Sequence, residues 1–163
     1  MGHMVRCRMS KVLVIDDDPI ALATLQLILE TGRAADVVES AKSAEAAILL
    51  VAATRFDAIV SDIRMPGLNG IDLLKHIQAA DSWVPIILLT GDDDLDLEYH
   101  ARRLGAFAFF QKPVSPSRLL GTVEEAVEES MTWRSRQGVS ATREPAEAAA
   151  HTSSNGGLDG ERQ

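Results

Sequence analysis

Val12-Leu13-Val14-Ile15-Asp16-Asp17-Asp18-Pro19 is an apolar run of strand length that ends in three carboxylates and a proline. No basic residue stands beside the three acids, and neighbouring carboxylates repel one another, so a cation is expected among them. Oxygen-only donors favour Mg2+. Asp18 followed by Pro19 reads as a helix N-cap and first helical residue. Leu22, Leu25, Ile28 and Leu29 then mark one apolar stripe, which Gly32 stops. The stretch is therefore one strand–helix unit with its acids at the strand's carboxyl end.

The same unit recurs along the chain. Apolar runs of strand length stand near 11–15, 36–38, 57–61, 84–90 and 106–110, each followed by a helix-like stretch. Ser43 suits the cap of a second helix. Asn69 or Gly70 opens a third, with Ile71, Leu74 and Ile77 as its stripe. A fourth shows a weaker stripe of Leu97, Ala101 and Leu104 and is ended by Gly105. From Ser115 to about Ser130, Leu119, Leu120, Val123 and Val127 face inward, while Glu124, Glu125, Glu128 and Glu129 face water. Repeated βα units force parallel strands joined by right-handed crossovers, so the expected fold class is α/β, a doubly wound five-stranded parallel sheet with helices on both faces. Ligands of such sheets lie outside the carboxyl ends of the strands.

A length of 163 residues suits one domain with tails. The net charge of −8 disfavours direct nucleic-acid binding, which depends on Lys and Arg displacing phosphate counterions. Cys7 is the single cysteine, which excludes an internal disulfide and fits a reducing compartment. The longest apolar runs, 46–53 and 84–89, fall short of the roughly 20 residues that span a bilayer. Arg6, Arg8 and Lys11 precede too short an apolar stretch for a signal peptide. No membrane segment and a cytoplasmic location are expected. Met1-Gly2-His3 before a second Met resembles a cloning leader, and Arg6 stands where a myristoylation signal places Ser or Thr. The expected organisation is an N-terminal extension over 1–9, a globular domain over 10–130, and a disordered tail or linker over 131–163. That last stretch, as in 142–150 and 153–160, turns to Ala, Ser, Thr, Gly and Glu without a period.

Four kinds of functional group fall at successive strand ends: Asp16 and Asp17 after the first, Asp62 after the third, Thr90 after the fourth, and Lys112-Pro113 after the fifth. Phosphoryl transfer requires an aligned nucleophile and neutralisation of the transferring oxygens. A carboxylate meets the first demand, Mg2+ and an ammonium the second, and a threonine hydroxyl adds a donor. In order and strand context, these motifs resemble the receiver domain of two-component response regulators over about residues 10–130. The resemblance implies a flavodoxin-like sheet of strand order 2-1-3-4-5. It makes Asp62 the phosphoacceptor, served by a sensor histidine kinase or a histidine phosphotransfer protein. It assigns Mg2+ to Asp17, Asp62 and the backbone carbonyl of Arg64, with Asp16 holding a metal-bound water. It further implies a cis Lys112–Pro113 bond, a conformational switch through Thr90 and Phe109, and tuning of the phosphoryl lifetime by Arg64 and Asp92. A downstream protein effector or an output domain would read the switch around the fourth and fifth helices, a homodimer being one possible form. The acidic start of the fourth helix suits a basic partner.

Plainer roles compete at each position. Asp18 is explained by capping alone, Thr90 and Lys112-Pro113 fit turns, Asp62 fits a turn before Met65-Pro66-Gly67, and Phe109 fits an ordinary strand. Arg64 and Asp92 fit solvated loop charge. His76 and His100 lack a second ligand at metal spacing and read as surface residues, and Trp133 reads as packing just past the last helix. Two rival functions remain open. A haloacid-dehalogenase-like phosphatase shares the Asp nucleophile, Lys and Mg2+, and Asp16 and Asp18 have its Asp-x-Asp spacing; but Pro19 stands where Thr or Val is wanted, and Asp92-Asp93-Asp94 follow Thr90 too closely. An interaction module without phosphorylation is opposed by the presence of every acceptor, metal and lysine position. The receiver reading makes the chain a switch, not an enzyme beyond its own phosphorylation and dephosphorylation.

Overall fold

The computed structural model describes residues 8–80, 83–91, 93 and 95–138. Ten elements alternate: β1 (Lys11–Ile15), α1 (Pro19–Thr31), β2 (Val37–Ala41), α2 (Ala44–Ala53), β3 (Ala58–Asp62), α3 (Gly70–Ala79), β4 (Ile86–Thr90), α4 (Leu95–Arg103), β5 (Ala108–Gln111) and α5 (Pro116–Arg136). All strand pairs are parallel, in the order β2-β1-β3-β4-β5. The doubly wound class and the 2-1-3-4-5 order expected for the sequence are both present.

Side-chain alternation explains why both sheet faces are covered. Leu13, Ile15, Ile59, Ile86, Leu88 and Phe109 point to the face packed by α2, α3 and α4. Their neighbours Val12, Val14, Ala58, Val60, Ile87, Leu89 and Phe110 point to the face packed by α1 and α5. Successive strand residues face opposite sides, so central strands of a two-faced sheet must be apolar throughout. β3 and β4 are buried along their whole length.

Helix starts follow the capping chemistry of the sequence. The Asp18 side chain accepts from the Ile20 N–H at 2.9 Å, and the Ser43 hydroxyl from the Ala46 N–H at 3.1 Å. Asn69 forms a reciprocal capping box with Asp72. Gly32 closes α1.

Two boundaries differ from expectation by three residues or more. β2 covers Val37–Ala41 rather than 36–38, because hydrogen-bonding register with β1 continues through polar Glu39 and Ser40. α5 continues six residues past Ser130, into the segment whose composition suggested a tail. Trp133 is accordingly inside the helix, with its ring centroid 5.9 Å from that of Trp83. One residue further on, buried Arg134 donates to Asp57 Oδ1 at 2.7 Å and to the Phe56 carbonyl. These partners lie far away in sequence, where local composition has no information about them. Cys7, Asp92 and residues 139–163 of the tail expected over 131–163 lie outside the described residues.

Candidate metal and phosphoacceptor site

β1 and β3 are adjacent, with Ile15 paired to Ser61, so the residues that follow each strand core, Asp16 and Asp62, emerge side by side. Asp16 is 1 % exposed and Asp62 7 %, whereas Asp17 is open to solvent. One carboxylate oxygen from each of Asp16, Asp17 and Asp62 lies within 4.8 Å of the other two. Asp18 stays outside this group as the α1 cap.

β5 brings the cation. Lys112 Nζ is 3.0 Å from Asp16 Oδ2 and 3.3 Å from Asp62 Oδ1. The Lys112–Pro113 peptide is cis, and the Lys112 N–H donates to the Thr90 carbonyl at 2.7 Å, which ties the tips of β4 and β5 together. Thr90 is completely buried. The other Asp16 oxygen, Oδ1, accepts the Asp18 N–H at 2.9 Å, so the carboxylate is oriented by α1 and Lys112 together.

The electrostatics follow from this arrangement. Burial raises the pKa of Asp62, Lys112 opposes the shift, and the Asp16 charge reinforces it. For Lys112, burial alone would lower the pKa, but the hydrogen bond to Asp16 and the charges of Asp62 and Asp16 outweigh it and hold the ammonium above its ordinary value. Three carboxylates facing one ammonium leave an excess of negative charge that a divalent cation would offset. The oxygen-only donor set, with one solvent-facing carboxylate, fits a partly hydrated Mg2+.

The backbone after Asp62 is held closely. A Cβ on Gly70 would lie 2.6 Å from the Asp62 carbonyl oxygen and 2.9 Å from Ile63 Cα, so only glycine lets α3 begin this near the site. The Gly70 N–H donates to the Ile63 carbonyl at 2.8 Å and closes the base of the β3–α3 loop. Arg64 is exposed on that loop. Phe109 sits on β5 opposite Leu88 and is buried in the cluster beneath α4. His76 and His100 are exposed, as expected of surface residues.

Two contacts escaped the sequence reading. Asp57 receives Arg134 and the Lys11 N–H, at 2.8 Å for the latter, at the opposite end of the sheet. Glu45 of α2 accepts the Leu68 N–H at 3.0 Å. No local motif announces either pair.

Comparison with known proteins agrees with this geometry. Residues 12–124 match the response regulator receiver domain family. The transcriptional regulatory protein FixJ of Bradyrhizobium diazoefficiens is 37% identical over 119 residues, covering 73% of this chain and 57% of that protein. The chain thus spans only part of the length of such relatives. Among solved structures, the signal receiver domain of an HD domain-containing protein from Pseudomonas fluorescens Pf-5 has a TM-score of 0.76 at 28% identity, covering 83% of this chain and 99% of that one. A response regulator receiver domain protein from Clostridium thermocellum has a TM-score of 0.69 at 29% identity, with 77% and 99% covered. With acids at the β1 and β3 tips, a lysine after β5, a five-stranded 2-1-3-4-5 sheet and a family match over most of its length, the chain belongs to the response regulator receiver domains of two-component signalling.

Proposed function

We propose that this protein is a cytoplasmic phosphorylation switch in which Asp62 accepts a phosphoryl group from a histidine kinase or histidine phosphotransfer protein. The observation that supports this most strongly is the position of Lys112 Nζ, within 3.3 Å of both Asp16 and Asp62, beside three converging carboxylates. Asp17, Asp62 and the Arg64 carbonyl would hold Mg2+, with Asp16 directing a bound water. Mg2+ there supplies charge neutralisation for the oxygens of the transferring group.

In the transfer, an Asp62 carboxylate oxygen attacks phosphorus as the phosphorus–nitrogen bond to the donor histidine breaks. The Lys112 ammonium, already beside Asp62, meets one developing oxygen charge, and the Thr90 hydroxyl donates to another. Because Lys112 also contacts Asp16, it remains anchored when Asp62 becomes an acyl phosphate. Thr90 and Phe109 would carry the change toward α4, β5 and α5, where an effector or output domain that prefers one state shifts the equilibrium. Arg64 and Asp92 would set how readily water reaches the acyl phosphate.

Incubation with labelled acetyl phosphate tests the reading. Wild type should incorporate label only with Mg2+, and Asp62→Asn should abolish incorporation. Labelling at Asp16 would instead indicate phosphatase-like chemistry, and no labelling of wild type would indicate an interaction module.

A further inference from the structure

The loop from Ile63 to Asn69 joins the Asp62 strand tip to α3 and carries the Arg64 carbonyl. Its base is closed by the hydrogen bond from the Gly70 N–H to the Ile63 carbonyl at 2.8 Å. Ile63, Arg64, Met65, Pro66, Gly67 and Asn69 line a cavity of about 490 Å³, together with Ile71 and Leu97. Ile63 and Met65 anchor the loop in the core, while its other side borders this open cleft, where packing does not restrain the backbone.

The loop's tip meets α2 across this gap in the sequence. Glu45 Oε1 accepts the Leu68 N–H at 3.0 Å, a contact spanning 23 residues. Gly67, at φ +79, lies against the same oxygen: a Cβ there would be 2.5 Å from Glu45 Oε1. The carboxylate's electrostatics reflect the same contact. Its pKa is lowered, first by the Leu68 N–H, then by its own backbone N–H, with a smaller contribution from the Ser43 hydroxyl. Ser43 caps α2 by accepting the Ala46 N–H, so Glu45 stands in the first turn of that helix, exposed, where it meets the loop leading into the next.

We propose that Glu45 is a positioning residue for the metal site, holding the β3–α3 loop so that the Arg64 carbonyl stays in place to bind Mg2+. This rests on the reading of Asp17, Asp62 and the Arg64 carbonyl as the Mg2+ ligands. Glu45 would touch neither the ion nor the phosphoryl group; it acts on the ion through the backbone that it restrains. Groups that orient ligands from outside commonly change metal affinity by tens of fold, and one acting through a loop belongs at the low end.

The test compares wild type, Glu45→Ala and Glu45→Gln. Two quantities are read by NMR: hydrogen exchange of the Leu68 amide without metal, and the Mg2+ dissociation constant from amide shifts during titration with MgCl2. Glu45→Ala should speed Leu68 exchange and weaken Mg2+ binding by about tenfold. Glu45→Gln keeps a carbonyl acceptor and should restore most of both. Faster Leu68 exchange with an unchanged dissociation constant in Glu45→Ala would overturn the inference while leaving the Mg2+ site intact. A Glu45→Gln variant as impaired as Glu45→Ala would overturn it too, showing that the charge rather than the hydrogen bond matters. Failure of wild type to bind Mg2+ would overturn both this role and the site on which it rests.

Discussion

Burial and the Asp16 carboxylate disfavour the ionised form of Asp62, while Lys112 favours it; the balance raises the pKa above its ordinary value of 3.8. A raised folded-state pKa means that the folded chain holds this proton more tightly than the unfolded chain. Its contribution to stability therefore falls as pH rises from near 3.8 through the folded-state value, and the full cost remains at neutral pH. Asp62→Asn removes that cost. Without Mg2+ at pH 7 it should raise Tm by about 3 °C, and the gain should shrink as pH falls through the same window. Thermal unfolding of the two proteins across pH, with EDTA present, checks this; an Asp62→Asn protein less stable at pH 7 would show that the Lys112 pairing outweighs the repulsion. Asp16, Asp17, Asp62 and Lys112, which the fold gathers, were legible from their order at successive strand ends rather than one by one. Glu45 was not, since its partner is a backbone N–H 23 residues away and a backbone donor carries no residue-type signal.

At the scale of elements, periodicity identified all five helices and all five strands, and capping residues placed most helix starts. The exceptions were the ends of β2 and α5. Met131 to Arg136 has neither a long apolar stripe nor a breaker, and it is tied to the rest of the domain by Trp133 meeting Trp83 and by the Arg134–Asp57 ion pair. Arg134 is 6 % exposed and Asp57 1 %, so removing one partner leaves a buried charge poorly compensated. Arg134→Ala should destabilise the domain by about 3 kcal/mol in chemical denaturation. Arg8, at 3.6 Å from the same carboxylate, is placed to reduce the loss. A chain truncated after Ser130 should lose at least as much, because it also removes the Trp133 contact. An unchanged midpoint in both variants would show that the last turns of α5 contribute nothing to the fold.

For the whole molecule, folding builds the candidate ion site, since only the folded sheet brings the three carboxylates at the tips of β1 and β3 together. An ion that binds the native state alone stabilises it by mass action. At ten times its dissociation constant, Mg2+ should add about 1.4 kcal/mol and raise Tm by about 3 °C. EDTA should reverse the shift, and Asp17→Asn should blunt it; a Tm indifferent to Mg2+ in wild type would count against the metal site. The sequence by itself determined the layered α/β architecture, because alternating apolar strands and amphipathic helices have one economical way to bury both faces of a sheet. It also determined which residues end each strand, and hence the chemistry available at the carboxyl edge. Only the tertiary structure decided that Lys112 reaches Asp16 across 96 residues, that Glu45 catches the loop after Asp62, and that α5 runs on to clasp Asp57. The physical reason is the same for all three: periodicity and capping are local signals, whereas a contact between distant side chains depends on register, helix length and loop path, which are settled when the elements pack.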